Sequence, residues 1–353
     1  MKLFIQMVLP RLFISFFPLF LFAYKSHFYS DINLFSDKLY FDVFSDKWNS
    51  IPSKKTINRA LSFSRIGIEY KSTFTYGIKF ENDGVVKINR GFIESWYYAS
   101  NDFNTLLKRS DIGYYITTPE IYGILNYAEY YAFYLKKEFF GTSFYLNFLK
   151  GKRLDYIKVI GNNTKNRFIA DLEYVYTGKN FITDNFNGGD FSGYGLGIDI
   201  QKRFVYKNYF LFLGVYNILG FIRWRGVNYM YYHFDSDTKY IGDDGYIHYK
   251  PFGKGFYKTD YNFFQRLPLF FKYNLHFSKN NFIFGSEGIY TQGNYFNVPY
   301  LKFKLKKLWL KAGYVLENKN FVYGISGKSF AIEVSNNLKF HSKFIKLLID
   351  FNF

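Results

Sequence analysis

The chain closes with Phe344-Ile345-Lys346-Leu347-Leu348-Ile349-Asp350-Phe351-Asn352-Phe353, and this ending is the strongest pointer to its fold. In an extended strand, successive side chains point to opposite faces. Ile345, Leu347, Ile349, Phe351 and Phe353 then share one face. Lys346, Asp350 and Asn352 share the other, with Leu348 the only apolar residue among them. A strand that is greasy on one side and polar on the other fits a wall between lipid and water.

The same alternation recurs upstream. Phe140, Thr142, Phe144, Leu146 and Phe148 alternate with Gly141, Ser143, Tyr145 and Asn147, so residues 121–136 and 139–149 read as a hairpin. Tyr194, Leu196, Ile198 and Ile200 oppose Gly195, Gly197, Asp199 and Gln201. Leu267, Leu269, Phe271, Tyr273, Leu275 and Phe277 face outward against Lys272, Asn274 and His276. Phe168, Ala170, Leu172, Tyr174 and Tyr176 take the lipid side, with Arg167, Asp171, Glu173 and Thr177 toward a solvated lumen. After Phe74 to Glu81, Asn82-Asp83-Gly84 reads as a hairpin turn whose glycine supplies a positive φ. Further strands fall at 208–218, 282–290, 298–305, 308–316, 320–335 and 343–353. Splitting 320–335 at Ser326-Gly327 puts the long segment 219–266 on the outside, where long loops belong. The predicted fold class is an all-β, antiparallel transmembrane β-barrel of roughly 14 strands, within about 12 to 16.

Composition agrees. Of 353 residues, 24% are aromatic, with 46 Phe and 36 Tyr, a usage that favours strands and interfacial girdles. Past the N-terminus no apolar run approaches the roughly 20 residues a membrane helix needs. Without Cys, disulfides, thiolate metal sites, a cysteine nucleophile and a lipoprotein anchor are excluded. Met1-Lys2 opens a basic start, and Leu12 to Ala23 forms a short apolar core interrupted by Pro18, so residues 1–23 read as a signal peptide. Residues 24–353 form one domain, whose 24–58 portion is mixed, with one short strand candidate at Leu39 to Phe44. Without Lys2 and Arg11, 44 basic residues face 28 acidic ones. On an outer-membrane chain that excess suits lipopolysaccharide phosphates at the rim, or an anionic solute in the lumen, rather than nucleic acid.

Material for catalysis is scarce. None of His27, His233, His248, His276 and His341 stands in a zinc-type spacing. His276-Phe277-Ser278-Lys279-Asn280 resembles the His-x-Ser-Asn signature of outer-membrane lipid A deacylases, with Lys279 where Asn is expected. Its His and Ser share the inward face, whereas a deacylase must present its site to lipid, so a turn explains these residues better. Asp235-Ser236-Asp237 and Asp243-Asp244-Gly245 are oxygen-rich but lack the full calcium-loop spacing, and read as solvated loops. No catalytic residue, metal site or cofactor is expected. The functional candidate is a basic stripe on the inward face: Lys272, Lys302, Lys304, Lys306, Lys311 and Lys346. Facing a narrow lumen, such lysines favour anions over cations; set at the two mouths, they only solvate the ends.

A terminal Phe closing an amphipathic strand resembles the signature of bacterial outer-membrane barrels, whose last strand the assembly machinery reads. Tyr145 to Tyr156 (YLNFLKGKRLDY) is similar to the strand and basic-glycine turn of FadL-like and TraF-like barrels. So are Gly195-Leu196-Gly197-Ile198-Asp199 and Asn217-Ile218-Leu219-Gly220, a Gly-rich strand with an inward Asp followed by a strand ending in Asn-x-Leu-Gly. The resemblance covers about 100 residues in mid-chain and implies a roughly 14-stranded barrel. It implies no ligand-binding residue, and a short N-terminal hatch motif of the transporters is not found. The expected location is the outer membrane of a Gram-negative (diderm) bacterium. The expected partners are membrane lipid, lipopolysaccharide, the barrel-assembly machinery and a small-molecule solute. The expected role is a passive, non-enzymatic channel for small, anionic solutes. The alternatives are a FadL-like uptake channel for hydrophobic compounds and a non-conducting structural or surface-interaction barrel.

Overall fold

The computed structural model describes residues 26–36, 57–71, 74–100, 116–164, 167–178, 190–237, 239–249, 252–317, 319–335 and 343–352. Its strands are β1 (Ser26–Ser36), β2 (Ile57–Lys71), β3 (Thr75–Asn89), β4 (Glu120–Phe139), β5 (Thr142–Thr164), β6 (Arg167–Tyr176), β7 (Ser192–Tyr206), β8 (Tyr209–Tyr216), β9 (Phe221–Asp235), β10 (Lys239–Ile241), β11 (Ile247–Tyr249), β12 (Gly253–Arg266), β13 (Phe270–Lys279), β14 (Phe282–Thr291), β15 (Asn294–Leu305), β16 (Leu308–Val315), β17 (Asn320–Ser326), β18 (Phe330–Ser335) and β19 (Lys343–Asn352). Helix α1 (Arg90–Ser100) lies between β3 and β4. The signal segment 1–23, the Leu39 to Phe44 candidate, His341 and Phe353 lie outside the described residues.

Fourteen strands close a ring: β1–β5, β7, β8 and β13–β19. In it β5 pairs with β7, β7 with β8, β8 with β13, and β19 returns to β1, all antiparallel. Closure gives each of these fourteen strands a neighbour on both sides, the condition a spanning sheet must meet. The turns at Phe140-Gly141, Lys207-Asn208, Asn280-Asn281 and Lys306-Lys307 gather at one end of the ring. There His27 near the start of β1 also lies opposite Asn352 near the end of β19. Helix α1 and the β9–β12 extension stand at the other end. Short turns face the periplasm and long connections the outside in such barrels. β17 and β18 separate at Ser326 and Phe330, as the topology required.

The belt is apolar. Phe133, Phe144, Leu146, Phe148, Leu196, Leu275, Phe284 and Phe321 point outward and are exposed. On β19, Phe351 is exposed while Phe344 and Lys346 are buried on the inner side, so the terminal strand has the predicted sidedness.

β5 branches. Thr142–Gly151 pairs with β7, whereas Asp155–Thr164 pairs with β6. Lys152 is an inserted residue, because Gly151 faces Tyr130 and Arg153 faces Glu129 on β4. The Gly151-Lys152-Arg153 stretch is thus a bulge inside a continuous strand, not the turn that the family likeness implied. An inserted residue exchanges the faces beyond it. Leu149 and Trp224 therefore join a lumen-side core, and Ile157 and Val159 join another on the opposite side of the wall. β2 and β3 divide the same way: Leu61, Phe63 and Val85 look into the barrel, while Ala60, Val86 and Ile88 look into the upper core.

This upper lobe accounts for three departures from the sequence reading. First, β6 has the predicted alternation, but its apolar face packs in a protein core and not against lipid. Phe168, Ala170, Leu172, Tyr174 and Tyr176 are buried in the upper core, and Asp171 and Arg167, on the other face, are half-exposed. Second, residues 219–266 are mainly the β9–β12 pair with the small β10–β11 hairpin at its tip, rather than an open loop. Third, α1 was not expected. Phe92 and Ile93 bury one face of it, with Trp96 and Tyr97 packed alongside. Asn89 caps it by accepting from the Phe92 N–H at 2.9 Å, and also accepts from Tyr122 N–H at 3.0 Å.

Two further differences lie in the ring. Asn82-Asp83-Gly84 is not a turn but the middle of β3, opposite Ser62–Ser64. β1 was not foreseen because its polar residues His27, Asp31 and Asn33 break up an apolar pattern.

Candidate functional site

The lumen is built from the inward residues of these strands. Arg65 on β2 makes a forked contact with Asp83 on β3, at 2.6 and 3.1 Å, and reaches Glu81 at 2.9 Å. Lys79 bridges Glu81 at 2.5 Å and Asp199 on β7 at 3.0 Å. Tyr130 and the Asn217 side-chain amide donate to Asp83 Oδ2, and the Asn217 backbone N–H and the Asn147 amide donate to Asp199. A forked arginine–carboxylate pair is among the strongest polar contacts, and burial requires this degree of satisfaction. The Asn217 amide is held here because its residue adopts a φ of 60°, turning the chain between β8 and β9.

A second network joins β14, β16, β18 and β19. Lys311 Nζ lies 2.6 Å from both Glu287 and Glu333, and Lys346 Nζ lies 2.7 Å from Glu287. Lys272 pairs with Asp31, which also accepts from the Asn33 amide at 2.7 Å. Toward the short-turn end, His27 bridges Glu69 at 3.1 Å and Asp350 at 2.8 Å.

Of these groups, His27, Asp31, Arg65, Lys79, Lys272 and Glu287 border a cavity of about 310 Å³, which extends to Lys136, Arg203 and Asp350. The rest of its lining is largely aromatic or aliphatic. Phe210, Phe212 and Tyr216 of β8 line it together with Phe35, Ile289 and Val298. The last four residues named belong to an apolar layer inside the ring that also holds Phe63, Phe270, Phe296, Val315, Val322 and Phe344. Phe35 stacks on Phe296 at 4.9 Å and meets Phe344 edge-on at 4.7 Å, and Phe63 meets Phe270 at 5.1 Å. Phe35, Phe63, Val85, Ile289 and Phe344 each stand two residues from Asn33, Arg65, Asp83, Glu287 and Lys346 on the same strands, so the lumen is polar at one level and closed by rings at the next.

At the branch of β5, Trp224 covers the wall from within. It is fully buried, and a Cβ on Gly151 or Gly193 would stand 2.4 or 2.6 Å from its ring. Its indole N–H donates to Gln265 at 2.9 Å, whose amide donates to Asn126 at 2.8 Å.

The six lysines of the predicted stripe all lie on the lumen side or its rim, but they do not form one surface. Lys272, Lys311 and Lys346 are consumed by carboxylates. Lys302 is half-buried beside the Tyr300 ring, at 5.3 Å. Lys304, near Trp309, and Lys306, in the β15–β16 turn at φ 55°, are exposed at the short-turn rim. The acidic partners Asp31, Glu81, Asp83, Glu287 and Glu333 were missed. Their signal was present as isolated charges inside apolar strands, but only Asp199 among the carboxylates of these inner networks was read as inward.

His276 stacks on Phe210 at 4.6 Å and lies 3.2 Å from Asn274 Oδ1, and Ser278 donates its backbone N–H to Asn208 at the turn. Asp235 is held by Arg167, and Asp244 by His248 with both oxygens at 2.8 Å. The backbone N–H of Tyr246, and then His248, hold the Asp244 carboxyl below its usual range. Among the described residues no three His, Asp or Glu side chains gather to hold a metal.

No protein-family model matches the chain, and no curated protein matches it. Among solved structures it is similar to a TodX deltaS2S3 mutant monoaromatic hydrocarbon channel, at 8% identity and TM-score 0.43, over 95% of this chain and 91% of that one. It is similar to a FadL homologue of Pseudomonas aeruginosa at 10% identity and TM-score 0.36, over 92% and 86% of the two chains. It is also similar to the P. putida toluene transporter TodX at 9% identity and TM-score 0.36, over 94% and 91%. The chain's assignment as a barrel stands on its own closed ring of strands.

Proposed function

We propose that the protein is an outer-membrane barrel that admits small hydrophobic compounds, rather than an open pore for small anions. The observation that carries this reading is the aromatic layer inside the ring. A water-filled pore presents polar groups inward, whereas here Phe35, Phe63, Phe270, Phe296 and Phe344 stack across the lumen. The aromatic strip Phe210, Phe212 and Tyr216 continues that layer into the cavity. Pockets of a few hundred Å³ with apolar walls and a few fixed polar groups suit small-molecule ligands. The similar barrels include a monoaromatic hydrocarbon channel and a toluene transporter. The lumen carboxylates neutralise Lys272, Lys311 and Lys346, which weakens the anion-stripe alternative. Lys302, Lys304 and Lys306 then act at the periplasmic mouth. The outward residues Ile345, Leu347, Ile349 and Phe351 are offered to the barrel-assembly machinery.

The test is uptake of a labelled monoaromatic hydrocarbon by cells with an intact outer membrane, producing either the native chain or Phe212→Arg. Phe212 is half-buried on the cavity wall, so a charge there blocks an apolar cargo without dismantling the ring. Faster uptake with the native chain only, at equal amounts of heat-modifiable barrel, supports the proposal. Equal uptake with and without the protein removes it and leaves a closed structural barrel.

A further inference from the structure

One row of outward side chains crosses five strands. Tyr131 on β4 lies opposite Lys150 on β5, Lys150 opposite Tyr194 on β7, Tyr194 opposite Arg223 on β9, and Arg223 opposite Phe264 on β12. The row below it, toward the periplasm, is Phe133, Phe148, Leu196 and Phe221. From Thr142 to Lys150 a tilted strand rises about 20 Å. Lys150 therefore stands where the hydrocarbon ends on the outer side. Lys152 and Arg225 lie just beyond the row, while Arg266 on β12 ends the row below it, opposite Phe221.

Lys150, Lys152, Arg223, Arg225 and Arg266 are all exposed. Lys152 lies over the rings of Phe80 and Tyr131, at 5.2 and 5.5 Å. None of the five is in an ion pair among the described residues, and the exposed Asp190, two residues before Ser192, bonds none of them. This contrasts with the lumen, where buried cations have carboxylates. Four unneutralised cations directly above an apolar wall, with Arg266 at the end of that wall, make a surface that is complementary to a lipid with phosphate at the headgroup level and acyl chains below.

We infer that this face binds a phosphorylated glycolipid of the outer leaflet: the phosphates lie on Lys150, Arg223 and Arg225, and the acyl chains on Phe133, Phe148 and Leu196. Arginine matches phosphate oxygens with two parallel donors. Tyr194 and Phe264, 62% and 61% exposed, are the interfacial aromatics that fix the depth of the headgroup. The inference rests on the outer-membrane location proposed above, and is independent of what the lumen carries.

The test uses the full chain folded in neutral detergent, titrated with bis-phosphorylated lipid A, dephosphorylated lipid A or inorganic phosphate. Binding is read by native mass spectrometry and by the thermal midpoint. The native barrel binds the bis-phosphorylated form and is stabilised by it, whereas neither the dephosphorylated lipid nor inorganic phosphate has that effect. The variant Lys150→Gln/Arg223→Gln/Arg225→Gln weakens binding by about a hundredfold. Lys304→Gln/Lys306→Gln, at the opposite rim, binds as the native chain does. Equal binding by the triple variant, equal binding of the dephosphorylated lipid, or full stabilisation by inorganic phosphate each overturns the inference. Heat modifiability and insertion into neutral lipid, unchanged in the triple variant, show that the barrel itself stands whichever result is found.

Discussion

Replacing Lys311 by Met tests the electrostatics of the lumen. In the native barrel, two cations, Lys311 and Lys346, meet two anions, Glu287 and Glu333, and all four are less than a tenth exposed. Lys311→Met leaves two carboxylates with one cation. Lys346 is 2.7 Å from Glu287 but 3.9 Å from Glu333, so Glu333 becomes the poorly neutralised group. Breaking a buried pair costs about 3–5 kcal/mol because a charge is left behind. Partial rescue by Lys346 places this variant at about 3 kcal/mol. Lys311→Met/Glu333→Gln restores one anion to one cation. Because replacing a whole buried pair by neutral groups is close to neutral, this double variant loses only about 1 kcal/mol. Equilibrium urea unfolding in lipid vesicles, followed by tryptophan fluorescence and heat-modifiable mobility, measures both. If the double variant loses as much as Lys311→Met or more, the network is not a charge-balanced unit and the reasoning fails.

Other expectations follow from the same structure. Trp224→Ala opens a void over Gly151 and Gly193 and leaves Gln265 without its donor, at a cost of about 3–5 kcal/mol in the same unfolding assay. Gly193→Val forces a side chain into the Trp224 ring and costs about 1–3 kcal/mol. Asn89→Ala removes the cap of α1 and one partner of Tyr122, costing about 1–2 kcal/mol, visible as faster hydrogen exchange over residues 90–97 before the ring itself opens. Lys304→Gln and Lys306→Gln, exposed at the rim, each change stability by less than about 0.5 kcal/mol.

Much of the ring was legible because lipid imposes a pattern of period two. The terminal strand, β7 and β13 carry it openly, and their inward Lys346, Asp199 and Lys272 could be named without a structure. Alternation has no sign, however. β6 shows the same pattern, but its apolar face packs in the upper lobe and meets no lipid. A single inserted residue, Lys152, exchanges the faces of β5, and nothing in GKRLDY distinguishes a bulge from a turn. Asn82-Asp83-Gly84 misled for a related reason. Turn-forming residues were placed in mid-strand because Asp83 must receive Arg65, Tyr130 and Asn217. Partners such as Lys79 and Asp199, 120 residues apart, meet only through ring closure. The stripe of lysines was therefore visible as charge but not as paired charge.

The most direct test of a lumen sealed by aromatic rings is single-channel conductance of the folded, heat-modifiable barrel in a planar bilayer, with unequal salt on the two sides. Packing of Phe35, Phe63, Phe296 and Phe344 predicts no steady ion current. A steady current with an anion-selective reversal potential, lost on neutralising Lys302, Lys304 and Lys306, would contradict the account and restore the open anion pore.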